Sequence, residues 1–263
     1  VLLYLSGSAF GLWQGPCGNS YANRVAGGDP TAKGEWPWMV KLYFCSRIKN
    51  SEKLQCNGCG GSLISDQWIM TAAHCIDTKD NENKTTLIMA TVGGDDPLTQ
   101  RNFTFDTTKN NLHIHESYMD VTGSPYDIAL IKLDVKLSLN NNIEPVCIFT
   151  TKLPDISKCV ATGYGTTESG ESSRFDPSIQ LCAQNQFIGN DVCHGDSGGP
   201  LTCEIGNNVW VQTGIVSFGE GVLCGKQKAP AVFTRVDAFK DWIEKITFEP
   251  VQNKYYGGKL YDV

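Results

Sequence analysis

The sequence lacks the features of a membrane-spanning or nucleic-acid-binding protein. Its 263 residues contain no run of about 18 apolar residues, so we expect no membrane span. Basic residues are outnumbered, with 22 Lys and Arg against 28 Asp and Glu and a formal net charge of −6. A nucleic-acid-binding surface needs a basic stripe, and this balance argues against one. There is no internal repeat either.

Cysteine and glycine, in contrast, are abundant. The 11 cysteines and 27 glycines indicate an oxidised, loop-rich, secreted protein. Two N-glycosylation sequons, at Asn83 and Asn102, are compatible with secretion, although the pattern is common by chance. The length allows one large β domain or two small ones with a sizeable core.

Short strands dominate the pattern of the chain. Segments rich in β-branched and aromatic residues alternate with turn residues, which is typical of β-barrels or a β-sandwich. The predicted strands include residues 39–44, 62–64, 68–72, 86–92 and 128–133. The one good helix is C-terminal, where Asp237 is a plausible N-cap and apolar residues recur at helical spacing from Phe239 to Ile246. The pattern therefore predicts an all-β fold with a C-terminal helix.

A glycine-flanked loop at residues 193–200 (CHGDSGGP) holds a single serine, Ser197. Glycines let the backbone turn sharply, so the N–H groups of Gly195 and Ser197 can form a hole for a developing oxyanion. A hydroxyl alone is a poor nucleophile, and it needs a base that is itself oriented by a carboxylate. Taken alone, the string can also be a polar surface turn.

Two further stretches supply a base and a carboxylate. Residues 71–75 (TAAHC) hold His74, and residues 127–133 (DIALIKL) begin with Asp127. Each has an ordinary alternative, because a histidine after an apolar run is often a core residue and an aspartate before a strand can be its N-cap. Together, however, the three stretches give a histidine, an aspartate and a serine in that order. From about residue 24 to about residue 246, the chain resembles the trypsin-like serine endopeptidases of the chymotrypsin family.

This resemblance implies two antiparallel Greek-key β-barrels with the active site in the cleft between them. His74 and Asp127 would lie in the first barrel and Ser197 in the second, where they form a catalytic triad. Asp127 would be buried beside the histidine N–H, where it fixes the tautomer. By the same resemblance, His113 and His115 are expected on a surface loop.

Residues 24–28 (RVAGG) resemble the activation junction of the family. Cleavage after Arg24 would free the α-amino group of Val25, which in the family turns inward and pairs with the aspartate before the nucleophile, here Asp196. Such a pair can order the pocket and the oxyanion loop. We expect a signal-peptide remnant at 1–11, an activation peptide at 12–24, the peptidase domain at 25–246 and a tail at 247–263. The alternative for the first segment is an apolar leader strand.

Asp191 stands six residues before the nucleophile, where trypsin-like members carry the aspartate of the primary specificity pocket. A buried carboxylate there favours a substrate Arg or Lys, although Asn190-Asp191 can also be a simple turn. Ser217, Phe218 and Gly219 resemble the segment that forms the pocket wall opposite Asp191 in the family. Its backbone can pair with an extended substrate strand. Ala231 replaces the usual glycine of the family, and its methyl group is expected to narrow the pocket.

The family resemblance also implies a disulfide framework. The expected pairs are Cys17–Cys147, Cys59–Cys75, Cys159–Cys203 and Cys193–Cys224, and Cys45 and Cys56 flank a loop insertion and are expected to bond each other. Cys182 is then left unpaired, which in a secreted protein indicates a reactive thiol or an intermolecular bridge. A redox or metal pair at residues 56–59 (CNGC) is the alternative, but no second ligand pair follows.

The main departure from the family lies between Gly165 and Cys182. Their spacing is less than half of that usual in the family, and residues 166–180 (TTESGESSRFDPSIQ) contain no strand-like apolar run. The missing stretch normally brings the cysteine that pairs with Cys182. We therefore expect the second barrel to lack a strand in this interval, which would leave two unpaired sheet edges.

The sequence thus predicts a secreted zymogen of a serine endopeptidase that cleaves after Arg or Lys. Its expected partners are protein or peptide substrates, an activating protease and protein inhibitors, with no nucleic acid and no membrane. No cofactor and no metal site are expected. The alternative is a catalytically impaired homologue or shortened isoform that keeps the catalytic residues but acts as a binding protein.

Overall fold

The computed structural model describes most of the chain, and the account below is confined to the residues it describes. These are residues 13, 15–20, 34–48, 51–76, 85–94, 99–106, 111–119, 124–148, 159–163, 176–183, 195–206, 208–219, 231–248, 254–256 and 259–261.

The first half of the chain forms an antiparallel seven-stranded sheet. Its strands are β1 (Met39–Arg47), β2 (Leu54–Leu63), β3 (Trp68–Thr71), β4 (Thr85–Val92), β5 (Arg101–Asp106), β6 (Leu112–Ile114) and β7 (Ala129–Lys132). They follow the order β5-β4-β1-β2-β3-β7-β6. The β-branched and aromatic residues suit the pleated, half-buried surface of such strands, and the five predicted segments all fall on or beside these elements.

The core of the molecule lies mainly against this sheet. Leu42, Leu63, Ile69, Leu130 and Ile131 are completely buried in it. Burying one such side chain stabilises a fold by about 1.5–3 kcal/mol. Thr71, the last residue of β3, pairs with Ala129, the first residue of β7. This register places the segment that follows β3 next to the segment that precedes β7.

The second half forms a smaller sheet. Its strands are β8 (Cys147–Ile148), β9 (Cys159–Ala161), β10 (Gln180–Ala183), β11 (Pro200–Gly206), β12 (Val209–Gly219) and β13 (Ala231–Arg235). The antiparallel strands follow the order β10-β13-β12-β11-β9, and β8 pairs with β12 in parallel. In the described part of the chain, no strand joins β9 to β10, so the sheet is an open half-barrel. Most of the interval between Gly165 and Cys182, where the sequence predicts a missing strand, lies outside the described residues, so the absence of that strand stays a prediction.

The second sheet has a small core of its own. Among the described residues, four buried ones form it, namely Leu201, Val216, Ala231 and Phe233, and Ala161 and Leu181 pack against them while remaining partly exposed. These two residues lie on β9 and β10, the ends of the strand order. Among the described residues, the apolar interior of this sheet is therefore least covered at these two strands.

A buried hydrogen bond and the main core join the two halves. Ser62 on β2 donates to Gln212 on β12 at 2.6 Å, and both side chains are completely buried. Trp210 and Ile215 on β12 belong to the same core cluster as the residues of the first sheet. The two sheets are therefore packed on each other.

The C-terminal helix is present, but its predicted N-cap is wrong. Asp237 begins a 3₁₀ turn (Asp237–Phe239), and the helix α1 (Lys240–Thr247) follows with Phe239 at its N-cap and no side-chain cap. The carboxylate of Asp237 instead accepts hydrogen bonds from the Arg235 guanidinium, with Nε at 3.1 Å. Trp242 on α1 donates its indole N–H to Glu116 at 2.8 Å, which fastens the helix to the first half.

Four of the five expected disulfides are present in the structure. They are Cys17–Cys147, Cys45–Cys56, Cys59–Cys75 and Cys159–Cys203. The fifth pair, Cys193–Cys224, lies outside the described residues. Cys182 is exposed on β10, opposite Val232 of β13.

Two short strands, β14 (Lys254–Tyr256) and β15 (Lys259–Tyr261), pair as a hairpin in the predicted tail. Within the described ranges, none of the helices has the length and apolar character that crossing a bilayer requires.

Candidate active site

His74 is held at the end of the first sheet by a short turn. Strand β3 ends at Thr71, and a 3₁₀ turn (Ala73–Cys75) follows directly. The Cys59–Cys75 disulfide fastens this turn to β2. The turn is buried on both sides of the histidine, whose side chain keeps 32% of its surface exposed. The imidazole is therefore fixed at its base and open to a reactant at its far edge.

Asp127 lies buried beneath this imidazole, with 2% of its surface exposed. Its Oδ2 is 2.7 Å from the Nδ1 of His74, and its Oδ1 accepts the backbone N–H of His74 at 2.8 Å. Both carboxylate oxygens thus bind the same residue. This geometry fixes the ring orientation and favours the tautomer with the proton on Nδ1, which leaves Nε2 as the basic atom.

Two further hydroxyl groups bind Asp127, and the sequence did not reveal either role. Ser217 Oγ donates to Oδ2 at 2.5 Å, and Thr234 Oγ1 donates to the backbone carbonyl of Asp127 at 2.9 Å. Both residues come from the second sheet, about a hundred positions along the chain, so no local pattern could have shown these contacts. Ser217 was expected only as part of the pocket wall.

The surroundings of Asp127 decide its charge. Burial alone would raise the pKa of this carboxyl, because it disfavours the ionised form. The positive charge of a protonated His74 and the hydrogen bonds from His74 and Ser217 act in the opposite direction, and the pKa of Asp127 is lowered overall. The carboxylate is therefore ionised at neutral pH, where it can stabilise an imidazolium.

Ser197 lies half-buried in a loop that is fixed to both halves of the molecule. On one side, the Gly60 N–H of β2 donates to the Ser197 carbonyl at 2.8 Å. On the other side, the Gly198 N–H donates to the carbonyl of Val216 on β12 at 2.8 Å. Gly60 is next to Cys59, which is bonded to the neighbour of His74. These links bring the serine segment against the histidine segment.

The loop turns through two glycines in the left-handed region of backbone conformation. Gly195 and Gly198 have φ of +94° and +78°, a region that side chains rarely adopt. Among the described residues, the N–H groups of Gly195 and Ser197 donate to no other backbone carbonyl. These are the two N–H groups that the sequence assigns to the oxyanion hole, and that assignment stays a prediction.

Asp196 lies against the backbone of Gly163. A Cβ at Gly163 would stand 1.9 Å from Oδ1 of Asp196 and 2.6 Å from its Cγ. Only glycine fits there, a requirement that the sequence motif around Gly163 did not show. The expected partner of Asp196, the Val25 amino group, lies outside the described residues, as do Arg24 and Asp191.

Four of the five predicted pocket residues occur on one pair of strands, with Ser217, Phe218 and Gly219 on β12 and Ala231 on β13. Phe218 and Gly219 end β12 and pair with Val232 and Ala231 of β13. Ala231 is buried and packs with the small core of the second sheet. The expected narrowing of the pocket by its methyl group remains a prediction.

Two histidines outside the triad are less exposed than we expected. His113 lies in β6, so the prediction of a surface loop is wrong for it, and His115 lies in the loop that follows β6 but is half-buried there. Both rings are half-buried against aromatic side chains, with His113 tilted against Trp68 and His115 stacked on Tyr126. Burial lowers the pKa of both imidazoles. In the described ranges, no group of three or more His, Cys, Asp or Glu side chains is arranged to hold a metal ion.

Comparison with known proteins agrees with this geometry. The sequence model of the trypsin family matches residues 25–243. Over 89% of its length, the chain is 32% identical to coagulation factor XI of Bos taurus, and over 88% it is 30% identical to testisin of Homo sapiens. It is also 32% identical, over 86% of its length, to transmembrane protease serine 7 of Mus musculus.

The chain belongs to the trypsin family of serine proteases. It covers 81% of testisin, but only 39% of coagulation factor XI and 29% of transmembrane protease serine 7.

Proposed function

We propose that the chain is a secreted serine endopeptidase that hydrolyses peptide bonds after Arg or Lys once it has been cut after Arg24. The observation that carries this proposal is the buried, ionised Asp127 bound to Nδ1 of His74 at 2.7 Å. A structural histidine has no need of a buried carboxylate, whereas a general base gains orientation and stabilisation from one.

The chemistry divides among three side chains and two backbone groups. His74 takes the proton of Ser197 at Nε2 while Oγ attacks the substrate carbonyl, and the Gly195 and Ser197 N–H groups bind the developing oxyanion. The imidazolium then gives its proton to the leaving amine, which departs as the acyl-enzyme forms. Water, deprotonated by the same histidine, releases the acid and restores Ser197. Asp127 stays ionised throughout and stabilises the imidazolium.

The preference for Arg or Lys is assigned to Asp191, because a carboxylate at the base of a pocket pairs with a cationic side chain. The backbone of residues 217–219 on β12 would bind the substrate as an extended strand. Protein or peptide substrates with a basic residue at the cleaved bond are therefore the proposed partners, together with protein inhibitors.

Activation is assigned to the new amino group of Val25, which would pair with Asp196 after an activating protease cuts the chain. The support is the position of Asp196, which immediately precedes Ser197 and lies partly buried with its side chain against the backbone of Gly163. The Cys17–Cys147 disulfide would keep residues 12–24 attached after cleavage. Abundant disulfides favour an extracellular location.

Labelling with a fluorophosphonate probe tests the proposal. Purified protein cut after Arg24 should react at Ser197, and Ser197→Ala, which lacks the nucleophile, should not. A peptide substrate with Arg at the cleaved bond should be hydrolysed, and Asp191→Asn should lose most of that activity while still labelling. Equal labelling of the uncut chain would contradict activation at Arg24.

The open second sheet keeps the impaired homologue in view as the alternative, although the comparisons do not favour it. If soluble protein that has been shown to be cut after Arg24 is not labelled by the fluorophosphonate probe, the result would support the impaired homologue instead of the enzyme.

A further inference from the structure

Thr71 is a buried hydroxyl residue on the boundary between the two halves of the active site. It ends β3, is completely buried and stands three residues before His74. It is not a member of the triad, and nothing in the proposed chemistry uses it. Its contacts, however, lead to the nucleophile.

The Thr71 side chain is hydrogen-bonded to Gly60, the residue that also binds the backbone carbonyl of Ser197. Its Oγ1 donates to the Gly60 carbonyl at 2.8 Å, and the Gly60 N–H donates to the Ser197 carbonyl at 2.8 Å. Because both bonds involve Gly60, the hydroxyl group constrains the backbone that anchors Ser197.

The same hydroxyl also lies under the residue that follows the nucleophile. A Cβ at Gly198 would stand 2.2 Å from Oγ1 of Thr71 and 2.6 Å from the Gly60 carbonyl oxygen. The loop therefore rests directly on Thr71 and Gly60, with no space for an additional carbon atom. A bulkier group at the position of Oγ1 would displace the loop.

The opposite side of the loop is fixed independently. Val216 accepts the Gly198 N–H at 2.8 Å and donates its own N–H to the Gly199 carbonyl at 2.9 Å. These bonds place the loop on the second sheet, whereas Thr71 and Gly60 place it against the sheet that carries His74. The position of the serine relative to the histidine thus depends on the Thr71 contact.

We propose that Thr71 is a positioning residue that sets the separation between Ser197 and His74. It touches neither the substrate nor the reacting atoms and acts through Gly60 and Gly198. The inference rests on the proposed protease function. A displacement of about 1 Å at reacting groups can cost roughly a hundredfold in rate. A small change in the contacts of Thr71 with Gly60 and Gly198 should therefore change the reaction rate measurably.

The test compares Thr71→Val, which replaces the hydroxyl with a slightly larger methyl group that cannot donate to Gly60, with Thr71→Ser, which keeps the hydroxyl. The readouts are the rate constant for fluorophosphonate labelling of Ser197, and kcat and KM for a peptide that the wild type cleaves. For Thr71→Val we expect the labelling rate and kcat to fall about 10- to 100-fold with KM within about threefold. Thr71→Ser should stay within about threefold of the wild type in all three.

A second readout separates positioning from damage to the fold. The low-field NMR signal of the His74 Nδ1 proton should persist in Thr71→Val, because the contact with Asp127 does not involve Thr71. If this variant does not fold, Thr71→Ala replaces it, since that change removes the hydroxyl and adds nothing against Gly198.

The outcomes distinguish the two proposals. Wild-type labelling together with wild-type rates in Thr71→Val or Thr71→Ala would overturn the role of Thr71 alone. A Thr71→Ser enzyme as slow as Thr71→Val would also overturn it, because the hydroxyl would then not be the effective group. Failure of the cut wild type to react would overturn the protease function, and the positioning role with it.

Discussion

Asp127 shows at the scale of one residue how a buried charge is made tolerable. An unpaired carboxylate at this depth would be strongly destabilising. Here both oxygens are hydrogen-bonded, to the ring and backbone of His74 and to the hydroxyl of Ser217. The same contacts that keep it ionised also orient the base, so stability and chemistry depend on one set of bonds.

Replacing Asp127 with asparagine should remove the charge with little change in shape. The amide NH₂ group donates hydrogen bonds and cannot accept one from Nδ1–H of His74. The tautomer with the proton on Nε2 is then favoured, and we expect kcat at neutral pH to fall about 10³- to 10⁴-fold. Steady-state kinetics on a cleaved peptide checks this. Asp241→Asn on α1, where the carboxylate side chain is 99% exposed, is the matched control and should be unaffected.

The lowered pKa of Asp127 also predicts how stability depends on pH. Its contribution should be fully present above the ordinary value of 3.8 and should be lost as the pH falls through the lower pKa of the folded state. Urea unfolding of the wild type and Asp127→Asn at pH 7 and at several acidic pH values measures this. The stability gap between the two proteins should shrink below pH 3.8; a constant gap would contradict the prediction.

At the scale of elements, the segment after β9 and the nucleophile loop fit together because residue 163 is a glycine and has no Cβ. In Gly163→Ala, the new methyl group would overlap Oδ1, Cγ and Cβ of Asp196, so rotation of the carboxylate alone cannot relieve the contact. Because Asp196 precedes Ser197, we expect fluorophosphonate labelling to slow by about a hundredfold or more.

Gly58→Ala is the control for this variant. A Cβ at Gly58 would make only ordinary contact with the Tyr43 ring, at 3.6 Å. Its labelling rate should match the wild type. Normal labelling of Gly163→Ala would show that Asp196 can move without disturbing the nucleophile.

At the scale of the whole molecule, the two sheets differ in how well they are covered. Among the described residues, the first sheet faces a large core, whereas the second has four buried core residues of its own and partly exposed residues on β9 and β10. Local opening is easiest where buried apolar contacts are few. The second half should therefore open before the first.

Native-state hydrogen exchange provides the measurement. Amides of β1, β2, β3 and β7 should exchange slowest, and those of β9 and β10 should exchange markedly faster, because those two strands end the strand order of the open sheet. Amides of the two sheets are compared within one sample, so each sheet is the control for the other under the same solvent conditions. Equal protection of β9 and β2 would mean that the open edges are stabilised by contacts beyond those described.

Much of the architecture followed from local patterns. The short β-rich segments predicted strands. The resemblance carried by the three catalytic stretches predicted the two halves and three of the four disulfides in the structure, and the fourth, Cys45–Cys56, was expected because its cysteines flank a loop insertion. The helix was also predicted, but its start was wrong, because Arg235 engages Asp237 and prevents it from capping. His113 and His115 were misplaced for a similar reason, since their aromatic neighbours come from distant parts of the chain.

The amino-acid sequence by itself determined the residue types, their order and the shortened interval before Cys182, because these depend only on neighbours along the chain. The tertiary structure alone decided the contacts of Ser217 and Thr234 with Asp127, the glycine requirement at residue 163 and the position of Thr71 under the nucleophile loop. The contacts of Asp127 and Thr71 depend on packing one sheet against the other, whereas that of Gly163 depends on how the segments beside β9 and β11 meet within the second half. The physical reason is that a hydrogen bond or a steric limit is set by distance in space, and strands from the two sheets meet only after both have folded.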